Sequence, residues 1–136
     1  MFSLYDMSTN QIQEGLRLTL EKRVEEDDLA IYRGTAKVAA LSTSALIFFL
    51  EKAVTTLIAP YLPEGMDTVS SEINIRHFKP VGKGDLIRCI VHLKFVDQNK
   101  LFFDVAVLDE NHDEVAIGAH GRHLIKKDEF EKQLKG

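Results

Sequence analysis

The sequence predicts an α+β domain in which one apolar helix is wrapped by an antiparallel sheet. Three observations carry this. Residues 43–59 hold one long apolar run behind a cluster of hydroxyls, "STSALIFFLEKAV". Beyond residue 68, four stretches alternate apolar and polar residues with the period of a strand. Short turns separate most of these stretches, which implies antiparallel pairing. An antiparallel sheet solvated on one side needs apolar cover on the other. The helix is the one cover on offer, so the sheet must curl around it.

A length of 136 residues suggests one domain spanning 1–136. The net charge of −4 gives no reason to expect a nucleic-acid partner. Cys89 has no second cysteine to pair with, which fits a reducing compartment. The first residues, "MFSLYDMSTNQ", lack the basic and apolar regions of a secretory leader. The unbroken apolar run Ala45 to Leu50 is far below the ~20 residues of a membrane span. The expectation is a soluble cytoplasmic protein with no membrane partner.

Residues 14–24 alternate, with Leu16, Leu18 and Leu20 on one face, and read as a half-buried strand. Residues 25–40 have an acidic start and a glycine at 34, and read as loop with a short helical turn. Ser42, Thr43 and Ser44 are N-cap candidates for the helix. Pro60 ends it near Ala59, because the residue before a proline avoids the helical region. Apolar residues occur nearly all round this helix, which predicts burial on most sides. Residues 68–79 form the next strand, closed by Pro80 and "VGKGD". Residues 85–97 place Ile87, Cys89, Val91, Leu93 and Phe95 on one face, with Leu86, Ile90 and Val96 on the other. Residues 101–109 and 114–126 complete a four-strand meander, and "KDEFEKQLK" forms a polar helical tail.

Glu51 interrupts the apolar run directly after Phe48, Phe49 and Leu50. A helical glutamate ordinarily reaches solvent or pairs with a neighbour such as Lys52. A buried carboxylate instead costs several kcal/mol unless it is paired, and burial disfavours the charged form of such a group. Both features suit a base or nucleophile. His77 continues the Ile73–Ile75 face of its strand, as a core histidine or a catalyst would. Thr43, taken alone, is a helix-start residue. His120 and His123 are three apart on a strand and point to opposite faces, so they do not chelate one metal. No metal site is expected. "GKG" at 82–84 lacks the rest of a phosphate-loop pattern and reads as a turn. Cys89 lies mid-strand on the apolar face and reads as inert.

The stretches "ALSTSALIFFLEKA", "TVSSEINIRHFKPVGKGD" and "VDQNKLFFDVAVLDENHDEVAIGAHGRHLI" resemble the fluoroacetyl-CoA thioesterase-like branch of the hotdog-fold thioesterases, over residues 38–126. The resemblance implies a hotdog fold and hydrolysis of a small acyl-CoA. It implies a catalytic set of Thr43, Glu51 and His77, and places Ser70 where the family has a small glycine, as a substrate-binding position whose backbone amide would help hold the oxyanion. Arg122 matches the family's late-strand arginine, as a CoA or structural contact. Lys79 and Lys83, with Lys126, are candidates for the CoA phosphates. A homodimer joined edge to edge, with sites at its interface, is also implied. CoA enters as part of the substrate and no separate cofactor is expected. This chain has no Phe between Ser3 and Ile47, where the fluoroacetate-selective member has its lid, which points to a different acyl group.

Chemically, Glu51 would attack the thioester or activate a water, His77 would orient the site and shuttle a proton, and Thr43 would hydrogen-bond Glu51, His77 or the substrate. Eight helical residues rise ~12 Å. Thr43 and Glu51 therefore meet only if Thr43 lies in a loop that folds back, or if the two act from different subunits. Two other activities suit such a fold: an enoyl-thioester hydratase or dehydratase, and a non-catalytic acyl-CoA-binding module.

Overall fold

Ser42 starts the central helix. Its hydroxyl accepts the Ala45 amide at 3.0 Å and meets one of the donors that a helix start leaves free. In the computed structural model, which describes residues 11–135, this helix is α2 (Thr43–Ile58). The segment read for a leader, residues 1–10, lies outside that range. Beyond Ile58 the chain tightens into a 3₁₀ turn over Ala59–Tyr61 that contains Pro60. The short α1 (Ala30–Arg33) precedes α2 and is closed by Gly34 at φ 76°, a left-handed position that favours glycine.

The strands are β1 (Arg17–Arg23), β2 (Met66–His77), β3 (Leu86–Asp97), β4 (Lys100–Leu108) and β5 (Glu114–Lys126), and α3 (Lys127–Lys135) follows. They form one antiparallel sheet in the order β1-β3-β4-β5-β2. The expected α+β architecture is present, but the four-strand meander is not. Only β3, β4 and β5 are joined as hairpins, and β2 lies at the far edge beside β5. The connection 78–85 explains the difference. It is eight residues long and contains Pro80, and such a segment reaches up to ~26 Å. That exceeds the ~14 Å between strands three places apart.

Buried residues of α2 recur at helical spacing: Ala45, Leu46, Phe49, Leu50, Ala53, Val54, Leu57 and Ile58. They meet the inward rows Ile87, Cys89, Val91 and Leu93 of β3 and Leu101, Phe103, Val105 and Val107 of β4 in one core. Each large aliphatic buried there contributes about 1.5–3 kcal/mol. The helix is not enclosed on most sides, as its composition suggested. The sheet curls round one side, and Ser44, Phe48, Lys52, Thr55 and Thr56 form an exposed flank, with Phe48 60% exposed. By length and apolarity Thr43–Tyr61 would suffice for a membrane span, and here its apolar side is filled by the sheet.

Two register shifts change which side chains face the helix. In β3 the pairing shifts between Leu93 and Phe95. Phe95 therefore does not continue the inward row; it is 42% exposed and stacks on Phe102 at 4.5 Å. In β2 the pairing shifts between Ser70 and Glu72, leaving Ser71 as the extra residue of a bulge.

Candidate active site

The bulge at Ser71 sets the lining of the site. Strict alternation would put Thr68 and Ser70 on one face of β2 and Ile73, Ile75 and His77 on the other. With one residue inserted, all five side chains lie on the side that carries α2 and the Arg122 side chain. Ser70 and His77 both touch α2, Thr68 bonds to Arg122, and Ile75 packs on the core.

Thr43 is the first residue of α2, and its Oγ1 lies 2.9 Å from Nδ1 of His77 at the end of β2. The two share a hydrogen bond whose direction follows the ring tautomer. Burial lowers the His77 pKa, opposed by a hydrogen bond to the Lys79 backbone, so the ring is neutral at pH 7. The end of β2 is fastened by the Phe78 and Lys79 amides, which both donate to the Val115 carbonyl at 3.0 and 3.2 Å.

Glu51 is the one carboxylate on α2. It is half-buried, not enclosed in a dry cleft within one chain. Its Oε2 accepts the Ser70 hydroxyl at 2.5 Å. Thr43 belongs to the helix itself, so it does not fold back, and it meets His77 while Glu51 meets Ser70. One chain thus holds two polar pairs separated by the ~12 Å rise of eight helical residues.

Behind Ser70 lies a network that the sequence reading left out. Arg122 stands opposite Ser70 in the β2–β5 register. Its NH1 donates to Ser70 Oγ at 2.8 Å, its Nε to Thr68 Oγ1 at 2.9 Å and its NH2 to the Thr68 carbonyl at 2.9 Å. NH1 also lies 3.3 Å from His120 Nε2. The His120 Nδ1–H donates to the Glu72 carbonyl at 2.9 Å, which leaves Nε2 free to accept. Burial is the main cause that lowers the pKa of both His120 and Arg122. His120 and Arg122 share a face of β5 at a spacing of two, and that was the available signal for this pair.

The remaining candidates lie elsewhere. Lys79 is held by Asp109 at 2.5 Å and Asp113 at 2.9 Å, and their hydrogen bonds raise its pKa. Lys83 pairs with Glu26 at 3.2 Å, on the turn formed by Gly82–Asp85. Lys126 faces Glu129 at 3.9 Å. Arg122 is 7% exposed, and its guanidinium is engaged by Thr68, Ser70 and His120. One group of acidic side chains, Glu25, Asp27 and Asp28, is close enough to share a cation, but Asp28 is already paired with Lys22 at 2.7 Å.

The family model for FlK, the fluoroacetyl-CoA-specific thioesterase, matches residues 24–128. The chain belongs to this family. It is therefore a hydrolase of the thioesterase class. Among solved structures, a variant of FlK superposes with a TM-score of 0.84 at 21% identity, covering 90% of this chain and 95% of that one. A hypothetical protein of Thermus thermophilus described as a thioesterase superfamily member gives 0.84 at 21% identity, over 91% of each chain. A hot-dog-like protein from Thermanaerovibrio acidaminovorans gives 0.84 at 22% identity, over 93% of each. These likenesses show that the thioesterase has the hotdog fold. No curated protein matches the chain.

Proposed function

We propose that this thioesterase hydrolyses a small acyl-CoA at a site built from Glu51, His77 and Thr43 and completed by a second protomer. The observation that carries this is the position of Glu51. It is the one carboxylate on the central helix, and Ser70 holds one of its oxygens. Among the described residues no hydrogen bond occupies the other, Oε1, which leaves it available for the reaction. FlK itself has been crystallised as a variant with acetyl-CoA, so a CoA ester of a short acid is the substrate class to test.

The reaction places an oxygen on the acyl carbon and breaks the C–S bond. Either Glu51 deprotonates a water that attacks the acyl carbon as the thiolate leaves, or Glu51 attacks it directly, the thiolate leaves an acyl anhydride on Glu51, and water then hydrolyses that anhydride to the acid and the free carboxylate. Neutral His77, steadied by Thr43, takes up and returns the proton. The leaving thiolate resembles a free cysteine with a pKa of ~8.5 and needs little acid assistance. The first amides of α2 lack partners within the helix and face developing negative charge favourably.

The open edge of the sheet supports a second protomer. β2 pairs only with β5 among the described strands, so its other edge is open over the length of the strand. Two-fold antiparallel pairing of β2 with its copy, centred near Ile73 and Asn74, sets His77 against Ser70 of the partner subunit. The His77–Thr43 pair of one protomer then meets the Glu51–Ser70 pair of the other.

The test is release of free thiol from acetyl-, fluoroacetyl-, propionyl- and butyryl-CoA, with crotonyl-CoA monitored for loss of its enoyl absorbance. Thiol release from a short ester supports the reading. Hydration of crotonyl-CoA without thiol release overturns it in favour of a hydratase, and tight binding with neither makes the protein an acyl-CoA-binding module.

A further inference from the structure

The Ser70 hydroxyl has a single proton, and its surroundings decide where that proton goes. Arg122 NH1 can only donate, and it donates to Ser70 Oγ at 2.8 Å. Ser70 therefore directs its own proton to Glu51 Oε2, 2.5 Å away. Arg122 has no freedom to turn elsewhere. Thr68 takes its Nε and NH2, and His120 Nε2 takes the remaining NH1 proton. His120 is in turn fixed by the Glu72 carbonyl. The donors thus form a one-way chain from a buried guanidinium, through a hydroxyl, to one oxygen of a half-buried carboxylate.

We infer that Ser70 is a positioning residue for Glu51, backed by Arg122, that locks the carboxylate into one rotamer with Oε2 held and Oε1 presented to the thioester. A glutamate side chain has three rotatable bonds, and a free one spends most of its time away from the reactive geometry. The bulge at Ser71 belongs to the same device, because strict alternation from Ser70 to His77 would put these two side chains on opposite faces of β2, and the unpaired residue brings both toward the helix. This inference rests on the proposal that Glu51 reacts with the substrate.

The experiment compares Ser70→Ala, Ser70→Thr and Glu51→Gln, singly and with Ser70→Ala combined with Glu51→Gln, on the short acyl-CoA that turns over fastest. Ser70→Ala is expected to lower kcat about tenfold or more while KM stays within about twofold, the loss of one charge-assisted hydrogen bond. Ser70→Thr restores the hydroxyl and most of kcat. In the Glu51→Gln background, Ser70→Ala adds no further loss, because residues that act through one another are not additive. Wild-type kcat in Ser70→Ala, an equal loss in the Glu51→Gln background, or a Tm lowered by more than about 5 °C would each overturn the assignment. If Glu51→Gln itself keeps full activity, the catalytic role of Glu51 fails. If Glu51→Gln is dead and Ser70→Ala is normal, only the positioning role fails.

Discussion

Thr43 Oγ1, on the first residue of α2, stands 2.9 Å from Nδ1 of His77, the last residue of β2. The contact joins the start of the central helix to an edge strand, beside the first amides of the helix, of which the third, that of Ala45, is capped by Ser42. It puts a neutral imidazole at the positive end of a helix dipole, which further disfavours protonation of the ring.

Replacing Glu51 with Gln is expected to lower kcat by 10²–10⁴-fold, the range for loss of a general base. The Oε2 contact to Ser70 can be kept by the amide oxygen, so the fold should hold. Thiol release and circular dichroism on the same sample check this, and near-wild-type turnover by a folded variant rules out the assignment.

Subunit mixing tests the shared site. Glu51→Gln and His77→Ala proteins should each be nearly inactive alone. After unfolding and refolding together, about half of the molecules are mixed dimers. If sites are built across the interface, a mixed dimer contains one intact site and one doubly altered site, and activity reappears. If each site belongs to one chain, every site carries one lesion and the mixture stays inactive.

Stability should fall as the solution is acidified from about pH 7 towards pH 5. His77 and His120 both have pKa values lowered in the fold, chiefly by burial. The unfolded chain takes up protons first, near 6.5, so acidification favours unfolding in the window below that value. Urea midpoints at pH 7.5, 6.0 and 5.0 measure it. His120→Gln should flatten the slope, and a midpoint that rises on acidification would contradict the burial of both rings.

Cys89 should resist modification in the native protein. Its thiol is inaccessible and burial pushes its pKa up to about 12, so the reactive thiolate is scarce. Iodoacetamide should label it only at the rate of unfolding, as mass spectrometry would show. Fast labelling in buffer would mean that β3 opens.

Gly118 should not tolerate alanine. A Cβ there would lie 2.1 Å from the Asn74 carbonyl oxygen and 2.8 Å from Ile75 Cα, both backbone atoms of β2. The strands must separate, at a cost of about 1–3 kcal/mol or more. Because β2 carries Ser70 and His77, activity should fall along with Tm, and an unchanged Tm would refute the close approach.

Much of the architecture was readable because it is local. The hydroxyl that caps α2, the proline that ends it, the inward rows of β3 and β4 and the tight turns at Gln98–Asn99 and 109–113 are all choices made within a few residues. Glu51 stands out on the same terms, as a carboxylate in an apolar run, and His77 as a histidine on an apolar strand face, whereas Thr43, Ser70 and Arg122 were picked out by the family resemblance.

What only the tertiary structure decided is which of these meet. The neighbour of β2 is β5 and not β3, because an eight-residue connection can cross the sheet and the sequence between two strands does not say where the second one lands. The bulge at Ser71 and the shift after Leu93 break period-two alternation, and an inserted residue is invisible to a reading that assumes the period. Those two shifts turn Ser70 toward Glu51 and Phe95 toward solvent. The sequence by itself determined the helix, the strands and which polar side chains they carry. The pairing of strands distant in the chain determined their geometry, because backbone hydrogen bonds between strands are made only once the chain has closed on itself.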